Sequence, residues 1–322
     1  MSKIYLSAKL PELGTQLLKE AALEYKVFEG TGLISKKELL KNVADCEVLI
    51  CPLSTQVDRE VIDAAPNLKL IANFGAGFNN IDAAYAKEQK IYVTNTPVVS
   101  TNATAELTAG LIIALSRRIV EGDRLMHHEG FEGWAPLFFL GHELKDKTLG
   151  IIGMGQIGQA LGKMMQAFGM KLIYNQRHPL ASEVEESLQA TYLSQAEVIQ
   201  QADVLSLHAP LTEATHHLLS SESFSQMKDS AFLINAARGP LIDEVALVEA
   251  LKNHQLAGAA LDVYEFEPKV TEALKDFDNV ILTPHIGNAS VEARDQMAEI
   301  VAKNAIALLN QQPIKYIVNG LT

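Results

Sequence analysis

Apolar positions along this chain come in two spacings that take turns. Short runs rich in strand formers, KIYLSA, KVFE, CEVLIC and LKLIANF, are separated by stretches with apolar residues every three or four positions: PELGTQLLKEAALEY, KKELLKNVAD, REVIDAAPN and NIDAAYAKEQ. A short continuous apolar run suits a strand buried on both faces, and the longer spacing suits a helix with one face on the core. Their alternation predicts a parallel sheet covered by helices on both sides.

A second series starts at Thr148. TLGIIG reads as a strand and GQIGQALGKMMQAFG as the following helix, with Ile157, Ala160, Leu161, Met164, Met165 and Phe168 on one stripe and Gly169 closing it. Further strands are predicted at KLIYN, DVLSLH, AFLIN, AGAALDV and NVILTP, and Ser194 with Glu197 forms a capping box for the helix between the first two. No linker rich in Pro, Gly or Ser divides the series. An amphipathic run from about Asn102 to His127 carries the chain from one to the other, and VEARDQMAEIVAKNAIALLN, after Pro284, carries it back.

Length and charge narrow the picture. At 322 residues the chain exceeds what one core usually organises, so two domains are expected. A net charge of -12 without a Lys/Arg block argues against nucleic acid as a partner, which needs clustered cations. MSKIYLSAKL lacks the pattern of a secretion signal and no segment has the uninterrupted apolar length of a membrane span, so a cytoplasmic protein that does not enter membranes is expected. Cys46 and Cys51 lie in the apolar run DCEVLIC, without metal or redox spacing, and are expected as buried free thiols. No H-E-x-x-H or comparable ligand spacing occurs, and the pairs His127-His128 and His216-His217 read as surface or interface residues, so no metal is expected.

Gly153-Met154-Gly155-Gln156-Ile157-Gly158 follows a strand and opens a helix, the context that gives a G-x-G-x-x-G its meaning. The first glycine permits a tight turn, the second lets the backbone approach a pyrophosphate, and the third allows close helix-strand packing, while the helix N-terminus offers free N–H donors. Some twenty residues later an NAD site places a carboxylate for the ribose. Here Tyr174-Asn175-Gln176-Arg177-His178 stands instead. A neutral Asn175 and a cationic Arg177 favour NADP over NAD, although Asn175 could also serve NAD through hydrogen bonds.

Seven ordered segments then make a resemblance specific: NFGAGFNNID (73–82), NTPVVSTNATAE (95–106), LGIIGMGQIG (149–158), LHAPLTEAT (207–215), INAARGPLIDE (234–244), ALDVYEFEP (260–268) and TPHIGNAS (283–290). Over nearly its whole length the chain resembles the D-isomer-specific 2-hydroxyacid dehydrogenases, in the branch with glyoxylate/hydroxypyruvate and 2-ketogluconate reductases. The resemblance implies Arg238 as the substrate-binding arginine and Glu267 with His285 as the acid-base pair. It implies Asp262 near the nicotinamide amide, Thr104, His208, Pro210 and Ala236 as further cofactor contacts, and the backbone at Ala76 and Gly77 as the substrate-carboxylate loop. It also implies D stereochemistry and a homodimer built around the segment linking the domains.

These roles suit the chemistry. An Arg fork can hold a 2-oxo acid's carboxylate and carbonyl together, and polarise the latter for hydride attack. The new alkoxide needs a proton near neutral pH, where His is suited to supply it, and a carboxylate beside the ring would orient it and favour its protonated form. The fold expected is α/β, with two doubly wound parallel-sheet domains: a Rossmann dinucleotide domain, 101–288, inserted in a flavodoxin-like substrate domain, 1–100 and 289–322, with a cleft at their junction. The function expected is hydride transfer between NADP, or NAD, and a small 2-oxo or 2-hydroxy acid. A nucleotide-sensing binding protein on the same fold is the alternative, distinguished by turnover. Leu53, Phe78, Trp134 and Phe138 are candidate selectors of the acid's side chain, though aromatic residues near Trp134 would equally suit a dimer core.

Overall fold

The computed structural model describes residues 3–128 and 130–321. They form two compact units, Met1–Ser100 with Ala289–Thr322, and Thr101–Asn288.

The first unit holds five parallel strands: β1 Ile4–Leu6, β2 Tyr25–Val27, β3 Val48–Pro52, β4 Leu70–Phe74 and β5 Tyr92–Thr94, in the order β2-β1-β3-β4-β5. This is the flavodoxin-like order, with its topological switch between β1 and β3. The central strands are buried on both faces, as their unbroken apolar runs require. Cys46 and Cys51 lie in this core as free thiols. The helix Val291–Leu309 packs on β4 and on the helix Glu12–Glu20, burying Met297, Ala298, Val301 and Ala302. Asn319 finishes the tail by donating to Ile91 O (2.7 Å) and accepting from Val93 N (3.3 Å).

The second unit holds seven parallel strands: β6 Thr148–Ile152, β7 Lys171–Asn175, β8 Ala190–Tyr192, β9 Val204–Leu207, β10 Phe232–Asn235, β11 Gly258–Leu261 and β12 Val280–Leu282. Their order, β12-β11-β10-β9-β6-β7-β8, turns back at β6 and β9. In such sheets ligands bind at the carboxyl ends of the strands beside that reversal. The two doubly wound parallel sheets are the fold the alternating pattern predicts.

Local differences have local causes. The run from Asn102 to His127 is two helices, Thr101–Ser116 and Ile119–His128, because Arg118 takes a left-handed φ of 54° between them. The helix after β6 ends at Gln166, so Phe168 leaves the predicted stripe and is 48% exposed, while Leu161 and Met165 are buried. Gly169, at φ 78°, supplies the left-handed stop the sequence suggested. Strand β8 escapes pattern reading because ATY is short and mostly exposed at a sheet edge. The Ser194–Glu197 capping box forms as expected.

Candidate active site

The glycine turn after β6 shows why each glycine is there. Gly153 has φ 99°, and a Cβ on it would lie 2.5 Å from the backbone of His208 and Ala209. A Cβ on Gly158 would lie 2.7 Å from Gly153 O. Gly155, the N-cap of the helix Gln156–Gln166, has no atom within 4 Å of its would-be Cβ. The turn is therefore closed on its inner side and open where the helix's free N–H groups emerge, which fits a dinucleotide pyrophosphate. Gln156 and Ile157 supply the first helical turn.

These spaces separate two kinds of substitution. Gly153→Ala is expected to cost about 2–4 kcal/mol of stability through strain and backbone collision. Gly155→Ala should melt near the wild type yet bind dinucleotide at least about tenfold more weakly, or about 1.4 kcal/mol. Thermal denaturation and a cofactor titration check both, and a Gly155→Ala protein with undiminished affinity would place the pyrophosphate elsewhere.

At the end of β7, Asn175 donates through Nδ2 to Leu193 O (2.7 Å), and Gln176 donates to His178 O (2.8 Å). Tyr174 ties the next turn by accepting from Leu180 N (2.7 Å) and donating to Glu185 (2.5 Å). Arg177 is exposed and makes no ion pair among the described residues.

At the end of β9, His208 shares a hydrogen between Nε2 and Ser206 Oγ (2.9 Å), while its Nδ1 is buried without a partner among the described residues. Burial pushes its pKa down to about 4, so this histidine is neutral through the physiological range and a poor proton carrier. Pro210, two residues on, is exposed, and its carbonyl accepts from Thr215 Oγ1 (2.7 Å).

After β10, Asn235 braces the turn that presents Arg238. It donates to Arg238 O (2.9 Å) and accepts from Ala237 N (3.1 Å), leaving Ala236 at the crest. Arg238 Nη1 donates to Ala237 O (2.6 Å). Burial lowers the guanidinium pKa and the charge of Glu267 works against that, but an arginine remains charged wherever the protein is folded.

Asp262, after β11, is buried and holds the loop that carries His285. Its Oδ1 accepts from Thr283 Oγ1 (2.6 Å) and Ile286 N (2.8 Å), and its Oδ2 from Gly287 N (2.7 Å). Thr104 is buried beside this loop, 3.4 Å from where a Cβ on Gly287 would stand. His285 itself has φ 53°, a left-handed conformation that a non-glycine residue keeps only when its surroundings impose it.

His285 Nδ1 and Glu267 Oε2 lie 3.0 Å apart, and Glu267 Oε1 accepts from Tyr264 N (3.1 Å). Burial alone would raise the Glu267 carboxyl. The bond and charge of His285, the Tyr264 N–H and the Arg238 charge outweigh it, holding the group below the usual carboxylate range. Tyr264 donates its hydroxyl to Thr283 O (2.8 Å), and burial followed by neighbouring carboxylates pushes its pKa up to about 12. Glu267, His285, Tyr264, Thr283 and Leu282 line an open recess of about 440 Å³.

Arg238, Glu267, His285, Asp262, Thr104 and the glycine turn thus all lie in the second unit, with the strand-end residues on the carboxyl side of one sheet. Asn235 and Tyr264 are positioning residues that motif reading passed over, although Asn235 stands inside INAARG and Tyr264 inside DVYEFEP.

Ala76 and Gly77 belong to the first unit, on the turn after β4. Asn95 donates to Ala76 O (2.6 Å) and Asn73 to Gly77 O (2.7 Å). Their carbonyls are thereby tied inward, and neither N–H donates to another described residue. Such paired free N–H groups suit a carboxylate.

The strand order, the open glycine turn and the imidazole–carboxylate pair are those of a dehydrogenase that uses a nicotinamide dinucleotide. Residues 109–287 match the sequence model of the D-isomer specific 2-hydroxyacid dehydrogenase, NAD binding domain. A candidate 2-hydroxyacid dehydrogenase of Staphylococcus haemolyticus is 52% identical over 99% of this chain and 100% of its own. Among solved structures, a glyoxylate reductase from Paecilomyes thermophila is 33% identical with a TM-score of 0.86, covering 98% of this chain and 97% of its own. An NADPH-dependent glyoxylate/hydroxypyruvate reductase from Sinorhizobium meliloti, solved with NADP and malonate, is 31% identical with a TM-score of 0.83 over 98% and 96%. This chain belongs to the D-isomer-specific 2-hydroxyacid dehydrogenase family.

Proposed function

We propose that the protein reduces a small 2-oxo acid of the glyoxylate or hydroxypyruvate kind to its D-2-hydroxy acid, using NADPH in preference to NADH. The observation that carries the reading is the His285–Glu267 pair, 3.0 Å apart, in the same unit as Arg238 and the open glycine turn. The two reductases above act on such acids by their own descriptions, and one of them uses NADPH.

In this reading residues 101–288 hold the dinucleotide. Gly153, Gly155, Gln156, Ile157 and Gly158 take the pyrophosphate, Asn175 and Arg177 the adenosine ribose, and Thr104, His208, Pro210, Ala236 and Asp262 complete the pocket. When bound, the nicotinamide supplies the hydride. Residues 1–100 and 289–322 form the substrate domain, where the N–H groups of Ala76 and Gly77 receive the substrate carboxylate. Arg238 holds the carboxylate and carbonyl oxygens and draws charge from C2. His285 gives its proton to the forming alkoxide, and Glu267 keeps the ring oriented with its Nδ1–H bonded.

The cofactor preference rests on charge. A 2'-phosphate carries nearly two negative charges, and a partly exposed bond from Arg177 is worth about 1.5–3 kcal/mol, or about ten- to a hundredfold in efficiency. Asn175→Asp would set a carboxylate oxygen against the Leu193 carbonyl, so Arg177→Ala is the cleaner test. It should shrink the NADPH advantage while leaving NADH efficiency within about twofold. A wild-type preference for NADH would overturn this part of the reading.

The helix Ile119–His128 has no fully buried side chain, with Ile119 53% and Met126 58% exposed, and beyond it Trp134 and Leu137 are each 84% exposed. An apolar surface of this kind calls for a partner, which supports a homodimer formed through the segment 119–140. Among the described residues no helix is long and apolar enough to cross a membrane.

The deciding experiment follows NADPH and NADH oxidation with glyoxylate, hydroxypyruvate, pyruvate, 2-ketogluconate and branched or aromatic 2-oxo acids. Turnover strongest with the small acids is expected. Tight dinucleotide binding with no turnover would instead favour a sensing role.

A further inference from the structure

His216, His217 and Glu265 place possible metal-ligating atoms within 4.8 Å of one another. The two imidazole rings are stacked with centroids 4.0 Å apart, and His217 Nε2 bonds Glu265 Oε1 at 2.7 Å. The cluster's use lies in what Glu265 touches next.

Glu265 Oε2 accepts from Glu244 N (3.2 Å), and Glu265 N donates to Glu244 Oε1 (2.7 Å). Each glutamate side chain thus accepts the other's backbone N–H. Glu244 is only 2% exposed, and its second oxygen accepts from the Thr271 hydroxyl. His217 joins from a third segment, its N–H donating to Pro240 O (2.8 Å) while its ring holds Glu265. Between the two glutamates the backbones nearly touch: a Cβ on Gly239 would fall 1.9 Å from Tyr264 C and O.

Glu244 lies six residues after Arg238, and Glu265 lies two before Glu267. We propose that Glu244, Glu265 and His217 form a positioning clasp that locks the Arg238 turn to the Glu267 loop, fixing the polarising and proton-handling groups relative to each other; this rests on the reductase reading above. A buried carboxylate beside a largely buried one is costly to desolvate, and a turn that served folding alone could be built from apolar residues. Reciprocal bonds to backbone N–H groups give what apolar packing does not, a defined register between two loops. A displacement of about 1 Å at a reacting group can cost about a hundredfold in rate, so the register has catalytic weight.

The clasp is tested with Glu265→Ala, Glu265→Gln, Glu244→Ala and the double alanine variant. In Glu265→Ala, kcat for the best 2-oxo acid should fall about ten- to a hundredfold while NADPH affinity stays within about twofold, because the glycine turn is untouched. Glu265→Gln, which keeps one acceptor oxygen, should recover part of the loss. The double variant should be no worse than the poorer single one, as for two halves of one device. Hydrogen exchange of both loops, 238–244 and 264–271, should quicken in either single variant. An unchanged kcat in Glu265→Ala, additive losses in the double variant, or unchanged exchange would each overturn the clasp. Absence of turnover in the wild type would overturn the reductase reading instead, and the exchange measurement would still decide the clasp.

Discussion

Arg238→Ala is expected to lower kcat/KM for the 2-oxo acid by about a hundred- to a thousandfold, the usual cost of removing a preorganised group that meets developing charge. The loss should appear in kcat as well as KM. The guanidinium both anchors the carboxylate, an interaction present from the start, and polarises the carbonyl as charge accumulates on oxygen. Arg238→Lys should recover only part, since an ammonium cannot reproduce the two-pronged geometry. The turn itself should survive, because Asn235 braces it through backbone atoms of residues 237 and 238. Steady-state kinetics with a melting control checks this, and near-wild-type efficiency in the alanine variant would remove Arg238 from the mechanism.

His285→Gln is expected to slow reduction by about a hundred- to ten-thousandfold, the range for loss of a positioned proton donor. Glu267→Gln should be milder, because the amide can still bond the ring and hold it in place. Because the Glu267 carboxyl is held below the usual carboxylate range, its contribution to stability is present above that range and fades only as pH drops through the lower folded value. The Gln variant should lack this contribution at neutral pH and so show less acid-dependent loss. Steady-state rates and acid melts of the two proteins check both effects, and an undiminished rate in Glu267→Gln together with an unchanged acid melt would show that Glu267 does not support the proton donor.

Much of this site is readable from residue order because the pieces sit where strands end. Arg238 follows β10, Asp262 follows β11 and His285 lies three residues after β12, and each strand is an apolar run that the pattern marks. The proton pair needed more. Glu267 and His285 are eighteen residues apart, and only the parallel pairing of β11 with β12 brings their loops together. Asn175 shows the opposite limit: its position at the end of β7 was visible, but not that its amide is already bonded to Leu193 O.

The sequence by itself determined the features that are local or periodic. These are the two β-α series, the glycine turn whose first member must take a positive φ, the Ser194–Glu197 cap, and the lack of a carboxylate after β7, because each depends on neighbours a few residues away. Only the tertiary structure decided which distant groups meet. The break at Arg118, the exposure of Phe168, the buried imidazole of His208 and the exchange of bonds between Glu244 and Glu265 all depend on packing between segments far apart in the chain. No periodicity encodes such contacts, since a side chain's burial and its hydrogen-bond partner are set by whichever backbone the fold lays beside it.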